Sequence, residues 1–200
     1  MLVSIVIPCY NSEHTIGHVI DMVVEEFKNF EGYECEFILV NDASKDGTFG
    51  EIEKLGEKYS FVRGLNLMRN FGQHNALMAG LNYADGDYVL GMDDDMQTHP
   101  SQIYKLLKKI EEGYDLVYGC YEKSTNKTAK NLTSWLNRVS SSILLGRPKE
   151  IVSSNFWIIT REVCREVIKY KNYNPYVDGL FYRCTHNIGN VAVEHHKREY

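Results

Sequence analysis

What most restricts this chain is a rhythm: strand-length apolar runs alternate with stripes of helical period along its first 120 residues. Leu2 to Ile7 is a continuous, largely β-branched run of the kind found in strands covered on both faces. Cys35 to Val40 and Phe61 to Leu67 make the second and third runs, Tyr88-Val89-Leu90 the fourth, and Asp115 to Cys120 the fifth. Between them, Ile16, Val19, Ile20, Val23, Val24 and Phe27 fall on one helix face, as do Phe49, Ile52, Leu55 and Tyr59. Ala76, Leu77, Gly80 and Leu81 mark a third such face, and Ile103, Leu106, Leu107 and Ile110 a fourth. Regular alternation implies right-handed βαβ crossovers, so the fold class is α/β: a mostly parallel central sheet with helices on both faces. With 200 residues, 44% of them hydrophobic, one domain is the default.

The connections carry local signals. Asn11 or Ser12 can cap the first helix, and Thr48 with Glu51 forms a capping box for the second. Arg69 to His74 reads as a loop, and Pro100 sits in the first turn of the helix after the fourth strand. Beyond Tyr121 the rhythm breaks. Glu122 to Lys130 is polar, and Leu132, Trp135, Leu136, Val139, Ile143 and Leu144 then form a stripe that suits either a core helix or a lipid-facing one. A strand over 155 to 160, a helix over 161 to 170, a short helix opening in 174 to 180 and a last strand at 191 to 193 complete the reading.

Composition removes several classes of function. A net charge of −5 argues against a nucleic-acid partner, which calls for a basic face. Five scattered cysteines with no C-x-x-C pair favour reduced thiols over a disulfide framework or zinc site. No apolar stretch reaches the ~18 residues that span a bilayer. The sequons at Asn126 and Asn131 have no secretory context.

Ligands of such sheets lie beyond the carboxyl ends of the strands, which places 8 to 11, 41 to 46, 69 to 73 and 93 to 97 along one rim. The acidic stretch is Asp93-Asp94-Asp95 with Gln97 after it. Like charges this close repel and raise one another's pKa, so a folded cluster needs water or a cation to screen it. Asp93 and Asp95, spaced i, i+2 on extended backbone, can point the same way, with Gln97 as a third oxygen donor. Hard oxygen donors suit Mg²⁺ or Mn²⁺. A solvated acidic turn is the competing reading. An EF-hand is excluded, because the sixth position lacks Gly and the twelfth lacks Glu.

Four motifs in order resemble the family 2 glycosyltransferases of the GT-A fold. They are Ile7-Pro8-Cys9-Tyr10-Asn11, Val40-Asn41-Asp42-Ala43-Ser44-Lys45-Asp46-Gly47-Thr48, Arg69-Asn70-Phe71-Gly72 with Ala76 and Gly80, and Met92 to Gln97 with Pro100. The branch most similar makes polyprenyl-phosphate sugars, and the likeness is specific over the first 120 residues. It implies a nucleotide-sugar-binding half over 1 to 121 and an acceptor half over 122 to 200. By resemblance, Pro8, Tyr10 and Asn11 wall the nucleotide base and ribose, and Asp42 accepts a hydrogen bond from the base. Asp94 lies against the nucleotide sugar, while Asp93, Asp95 and Gln97 hold a divalent metal on the donor diphosphate, which makes Asp95 catalytic. Arg69 either adds to that clamp or forms a surface salt bridge. The family has an acidic pair where this chain has Asn41-Asp42, which leaves uracil and guanine both open as the base.

On the acceptor side, a hydroxyl needs a carboxylate to take its proton, whereas a polyprenyl phosphate is already anionic. Asp178 is the candidate base, or else a charge that complements a helix N-terminus. Arg198, in His195-His196-Lys197-Arg198, resembles the arginine of the branch's closing H-x-x-R motif, which implies phosphate contact. The resemblance further implies a truncated piece of a membrane-associated enzyme, cytoplasmic at the inner face of the membrane. Lys127, Lys130, Arg138 and Arg147 would then suit a lipid phosphate. The alternatives are transfer to a glycan hydroxyl and a non-catalytic nucleotide-binding α/β module. A sugar-phosphate nucleotidyltransferase, a phospho-receiver and a nicotinamide oxidoreductase are disfavoured. Each lacks its marker: a Gly-rich loop after the first strand, the receiver's later lysine and threonine, or G-x-G-x-x-G.

Overall fold

The strand order of the central sheet is set by where apolar runs can be covered on both faces. In the computed structural model, which describes residues 1–95, 97–121 and 150–194, the first three strands are β1 (Leu2–Cys9), β2 (Glu34–Asn41) and β3 (Val62–Asn66). They are followed by β4 (Tyr88–Gly91), β5 (Leu116–Tyr121), β6 (Trp157–Thr160) and β7 (Ile188–Val193). These form one sheet of seven strands in the order β3-β2-β1-β4-β6-β5-β7. β1 pairs in parallel with β2 and β4, β2 with β3, and β5 with β7. β6 alone is antiparallel to both neighbours, so the sheet is mostly parallel, as the alternation of elements predicts.

The helices are α1 (Ile16–Phe27), α2 (Thr48–Lys58), α3 (Gln73–Leu81), α4 (Ile103–Ile110), α5 (Arg161–Val167) and α6 (Val177–Cys184). Alternate residues of each strand serve opposite layers, which is why the runs are continuous rather than polar on every second residue. Val3, Ile5, Ile7 and Cys9 of β1 join a core with Ile16, Ile20, Ile52, Leu106 and Ile110, under α1, α2 and α4. Val6, Ile38 and Val40 face the other way, against Ala76, Leu81, Val163, Val167 and Phe181 of α3, α5 and α6. Two glycines mark the closest approaches. A Cβ on Gly80 would lie 2.4 Å from Val6 Cγ1, and one on Gly91 would lie 2.3 Å from the Trp157 ring.

Several local expectations give way. α1 is capped by the Ser12 carbonyl, which accepts from Thr15 and Ile16 N–H, while the Ser12 side chain is used elsewhere. The Thr48–Glu51 box does not form: Gly47 is the N-cap, Thr48 is bonded to Asp46, and Glu51 pairs with Lys54. α3 starts at Gln73, inside the stretch read as loop. Pro100 opens a 3-10 turn, Pro100–Gln102, capped by the His99 side chain, and this turn runs directly into α4. Among the described residues no helix is long and apolar enough to cross a membrane. The amphipathic stretch from 131 to 145, its flanking basic residues, and His195, His196 and Arg198 lie outside the described residues.

Candidate active site

β1, β2 and β4 are parallel, so their carboxyl ends and the loops that follow converge on one rim. The loops after β1 and β2 are bonded to each other. Asn11 N–H donates to Ser44 Oγ (3.0 Å), Lys45 N–H to Asn11 Oδ1 (3.1 Å), and Ser12 N–H to Thr48 Oγ1 (2.7 Å). Asn41 is buried and works in two directions: its Nδ2 donates to Asn66 Oδ1 (2.8 Å) and its Oδ1 accepts from Ser44 N–H (3.1 Å) and Oγ (2.5 Å). A carboxylate at 41 would accept from Ser44 equally well but could not donate to Asn66.

Asp42 is 3% exposed, and its two oxygens accept from Phe71 N–H (2.7 Å) and Gly72 N–H (2.8 Å). The side chain therefore pins the turn that precedes α3, where Gly72 has φ +87°, a conformation open to glycine. Pro8, Cys9, Tyr10, Asp42, Asn70, Gly72, Gln73, Asp93, Asp94, Asp95 and Asn155 line a cleft of about 350 Å³. A neighbouring cleft of about 330 Å³, lined by Asn11, Ser12, His14 and Thr15, shares Tyr10, Asp94 and Asp95 as its wall.

The three acids are half-buried and turned toward different partners. Asp93 accepts from Gln73 Nε2 through Oδ1 (2.8 Å) and from Asn155 Nδ2 through Oδ2 (3.0 Å). Burial pushes its carboxyl up to about 6, the repulsion of Asp95 and Asp94 adds to the rise, and the two carboxamides oppose it. Asp94 takes the Ser12 hydroxyl and is also raised, chiefly by burial. Asp95 Oδ1 accepts from Gln97 N–H (3.1 Å). Among the described residues, no three His, Cys, Asp or Glu side chains already form a cation cage. The chemistry of the donors nevertheless fits a hard divalent ion. They are oxygens at one strand end, and Asp93 and Asp94 are held by neutral groups, two carboxamides and a hydroxyl, where a cation would lower the cost of burying negative charge.

Of the residues singled out from the sequence, Pro8, Tyr10, Asp42, Asp93, Asp94 and Asp95 meet in the larger cleft. Asn11 faces the neighbouring one, with its amide oxygen taken by Lys45 N–H. Arg69 is exposed, its guanidinium 4.6 Å over the Phe71 ring. Asp178 does not line either cleft. It sits in the first turn of α6 and accepts from Tyr118 Oη (2.7 Å), a fully buried hydroxyl whose pKa is driven well up by burial and by that carboxylate. Gln73, Asn155 and Ser12 are not among the site residues read from the sequence, where Ser12 figures only as a helix cap and Gln73 only within the rim stretch, yet each touches the acidic stretch.

The Glycosyl transferase family 2 sequence model matches residues 4–168, which takes in the whole rim. The chain belongs to that family. Relatives in it include the undecaprenyl-phosphate 4-deoxy-4-formamido-L-arabinose transferase of Proteus mirabilis, 36% identical over 71% of this chain and 41% of the relative. The bactoprenol glucosyl transferase of Shigella phage SfV is 33% identical over 90% of this chain and 59% of the relative. This family 2 chain thus spans about half the length of the relatives it matches. The fold is GT-A. Mannosyl-3-phosphoglycerate synthase from Rubrobacter xylanophilus superposes with a TM-score of 0.70 at 19% identity, covering 100% of this chain and 67% of that one. Glucosyl-3-phosphoglycerate synthase from Mycobacterium tuberculosis, solved with Mn²⁺, UDP-glucose and phosphoglyceric acid, gives 0.66 at 21% identity, covering 98% and 72%.

Proposed function

We propose that this chain is the donor-binding and catalytic domain of an inverting, divalent-metal-dependent glycosyltransferase that moves a sugar from a nucleoside diphosphate to a polyprenyl phosphate. The observation that carries the reading is the half-buried Asp93-Asp94-Asp95 stretch, held by neutral donors in a cleft where the loops after β1, β2 and β4 meet. Support comes from the relatives' names, which specify undecaprenyl phosphate and bactoprenol, and from the similar fold solved with Mn²⁺ and UDP-glucose.

In this reading Pro8 and Tyr10 pack against the base and ribose, with Tyr10 47% exposed and so able to offer its ring. Asp42 holds the 71–72 turn and has lone pairs left for a base N–H, of uracil or guanine. Asp93 and Asp95, with Gln97 as a third donor, would hold Mg²⁺ or Mn²⁺. When bound, the ion supplies positive charge to the diphosphate as it leaves. An acceptor phosphate oxygen forms the new bond to the anomeric carbon while the bond to the diphosphate oxygen breaks and its electron pair leaves with the nucleotide. The sugar carbon inverts. An anionic acceptor needs no base, which agrees with Asp178 being occupied by Tyr118. A glycan hydroxyl would instead need Asp178 released to take its proton. Action on a lipid phosphate would place the enzyme at the cytoplasmic face of the membrane, by peripheral contact at least.

Calorimetric titration of UDP- and GDP-sugars with and without Mn²⁺ tests the reading. Metal-dependent binding of one of them is expected. Failure of both to bind with metal present would end it.

A further inference from the structure

The two groups on Asp93 come from opposite sides of the cleft. Gln73 is the first residue of α3 and follows the turn that Asp42 pins through Phe71 and Gly72. Asn155 lies two residues before β6, in the part of the chain beyond residue 149. One carboxylate thus has both oxygens bonded, each by the NH₂ of a different element, 2.8 Å and 3.0 Å away. Both amide side chains belong to exposed residues that line the cleft, so neither is buried to serve the core. Side chains that order no core but fix the orientation of a ligating group are the usual supports of metal sites.

We infer that Gln73 and Asn155 form a two-sided carboxamide clamp that positions Asp93 as a metal ligand. This inference rests on the metal-dependent reading above and goes beyond it by assigning positioning residues. The clamp joins the nucleotide end of the site to its diphosphate end through one line of contacts: Asp42, the Phe71–Gly72 backbone, Gln73, Asp93 and Asn155. An unclamped Asp93 can rotate among its rotamers, and the ordering then has to be supplied when the cation binds.

The test is Mn²⁺ affinity without nucleotide, by electron paramagnetic resonance titration of wild type, Gln73→Ala, Asn155→Ala and the double variant. Each single change is expected to weaken Mn²⁺ binding about tenfold, and the pair on the order of a hundredfold. The variants should still melt cooperatively, within about 4 °C of wild type, because both side chains are exposed and order a ligand rather than the core. If wild-type protein shows no metal-dependent tightening of UDP or GDP, the metal reading itself falls. If wild type shows it and the variants bind Mn²⁺ as well as wild type or more tightly, the clamp is wrong. Loss of cooperative melting alongside Mn²⁺ binding would equally overturn it, by showing a general disruption of the fold.

Discussion

Asp93 and Asp178 are the same residue at comparable places, a strand end and a helix start, yet their surroundings differ. Asp93 lines a cleft, is raised to about 6 by burial, and is gripped by two amides. Asp178 is bonded to the hydroxyl of a tyrosine with no exposure, in the layer formed by Trp157, Phe181 and Tyr182. The first is open to the cleft, where the proposed cation would meet it. The second ties α6 to β5 through Tyr118. The sequence suggests a site role for both; what differs in the structure is the cleft that Asp93 lines and the tyrosine that Asp178 holds.

The largest effect that would test this contrast is on donor binding. Asp95→Ala or Asp93→Ala should weaken Mn²⁺-dependent nucleotide affinity on the order of a hundredfold with the fold intact. Asp178→Asn should leave it unchanged by calorimetry. Equal loss in both would place Asp178 in the donor site and erase the distinction.

Next is the pH dependence of the metal-free protein. The folded pKa of Asp93, about 6, lies above its ordinary 3.8, so between those values the folded state binds more protons than the unfolded one. Stability therefore falls as pH rises through that window. The shift corresponds to at most about 3 kcal/mol, and to roughly 1 kcal/mol once water at the open edge screens the group. Asp93→Asn should flatten the slope in urea titrations at pH 4.5 and 7.

Tyr118→Phe should cost about 1–2 kcal/mol, because the hydrogen bond between its buried hydroxyl and the Asp178 carboxylate is lost, with nucleotide affinity untouched. The finest distinction is the acceptor. Asp178→Asn should abolish transfer to a hydroxyl but reduce transfer to a lipid phosphate less than about twofold, as no proton is removed there. Equal effects on the two acceptors in a transfer assay would show that Asp178 is not a base.

Much of the architecture was readable because burial on both faces writes itself into sequence. Val3 to Ile7 is apolar throughout since neighbouring residues feed two different cores. The reversal of β6 was not readable: Trp157-Ile158-Ile159 looks the same in either direction, and only pairing with β4 and β5 fixes it. Caps failed where a nearer partner won, as when Asp46 took Thr48. At the site, the acidic stretch and Asp42 were visible as local motifs on the strand-end rim. Gln73 and Asn155 were not, because they act across 20 and 62 positions and polar amides beside a helix or strand carry no mark of their target.

The single reversed strand has a geometric sequel. Because β6 runs against both β4 and β5, the sheet's polarity is restored beyond it, and β5 and β7 finish on the same side as β1 and β4. Tyr121 and Val193 stand directly opposite each other at that edge, and Tyr121 is near enough to feel the charges of Asp93 and Asp95. The last two parallel strands therefore end side by side at Tyr121 and Val193, on the same edge of the sheet as the strand that leads into the acids.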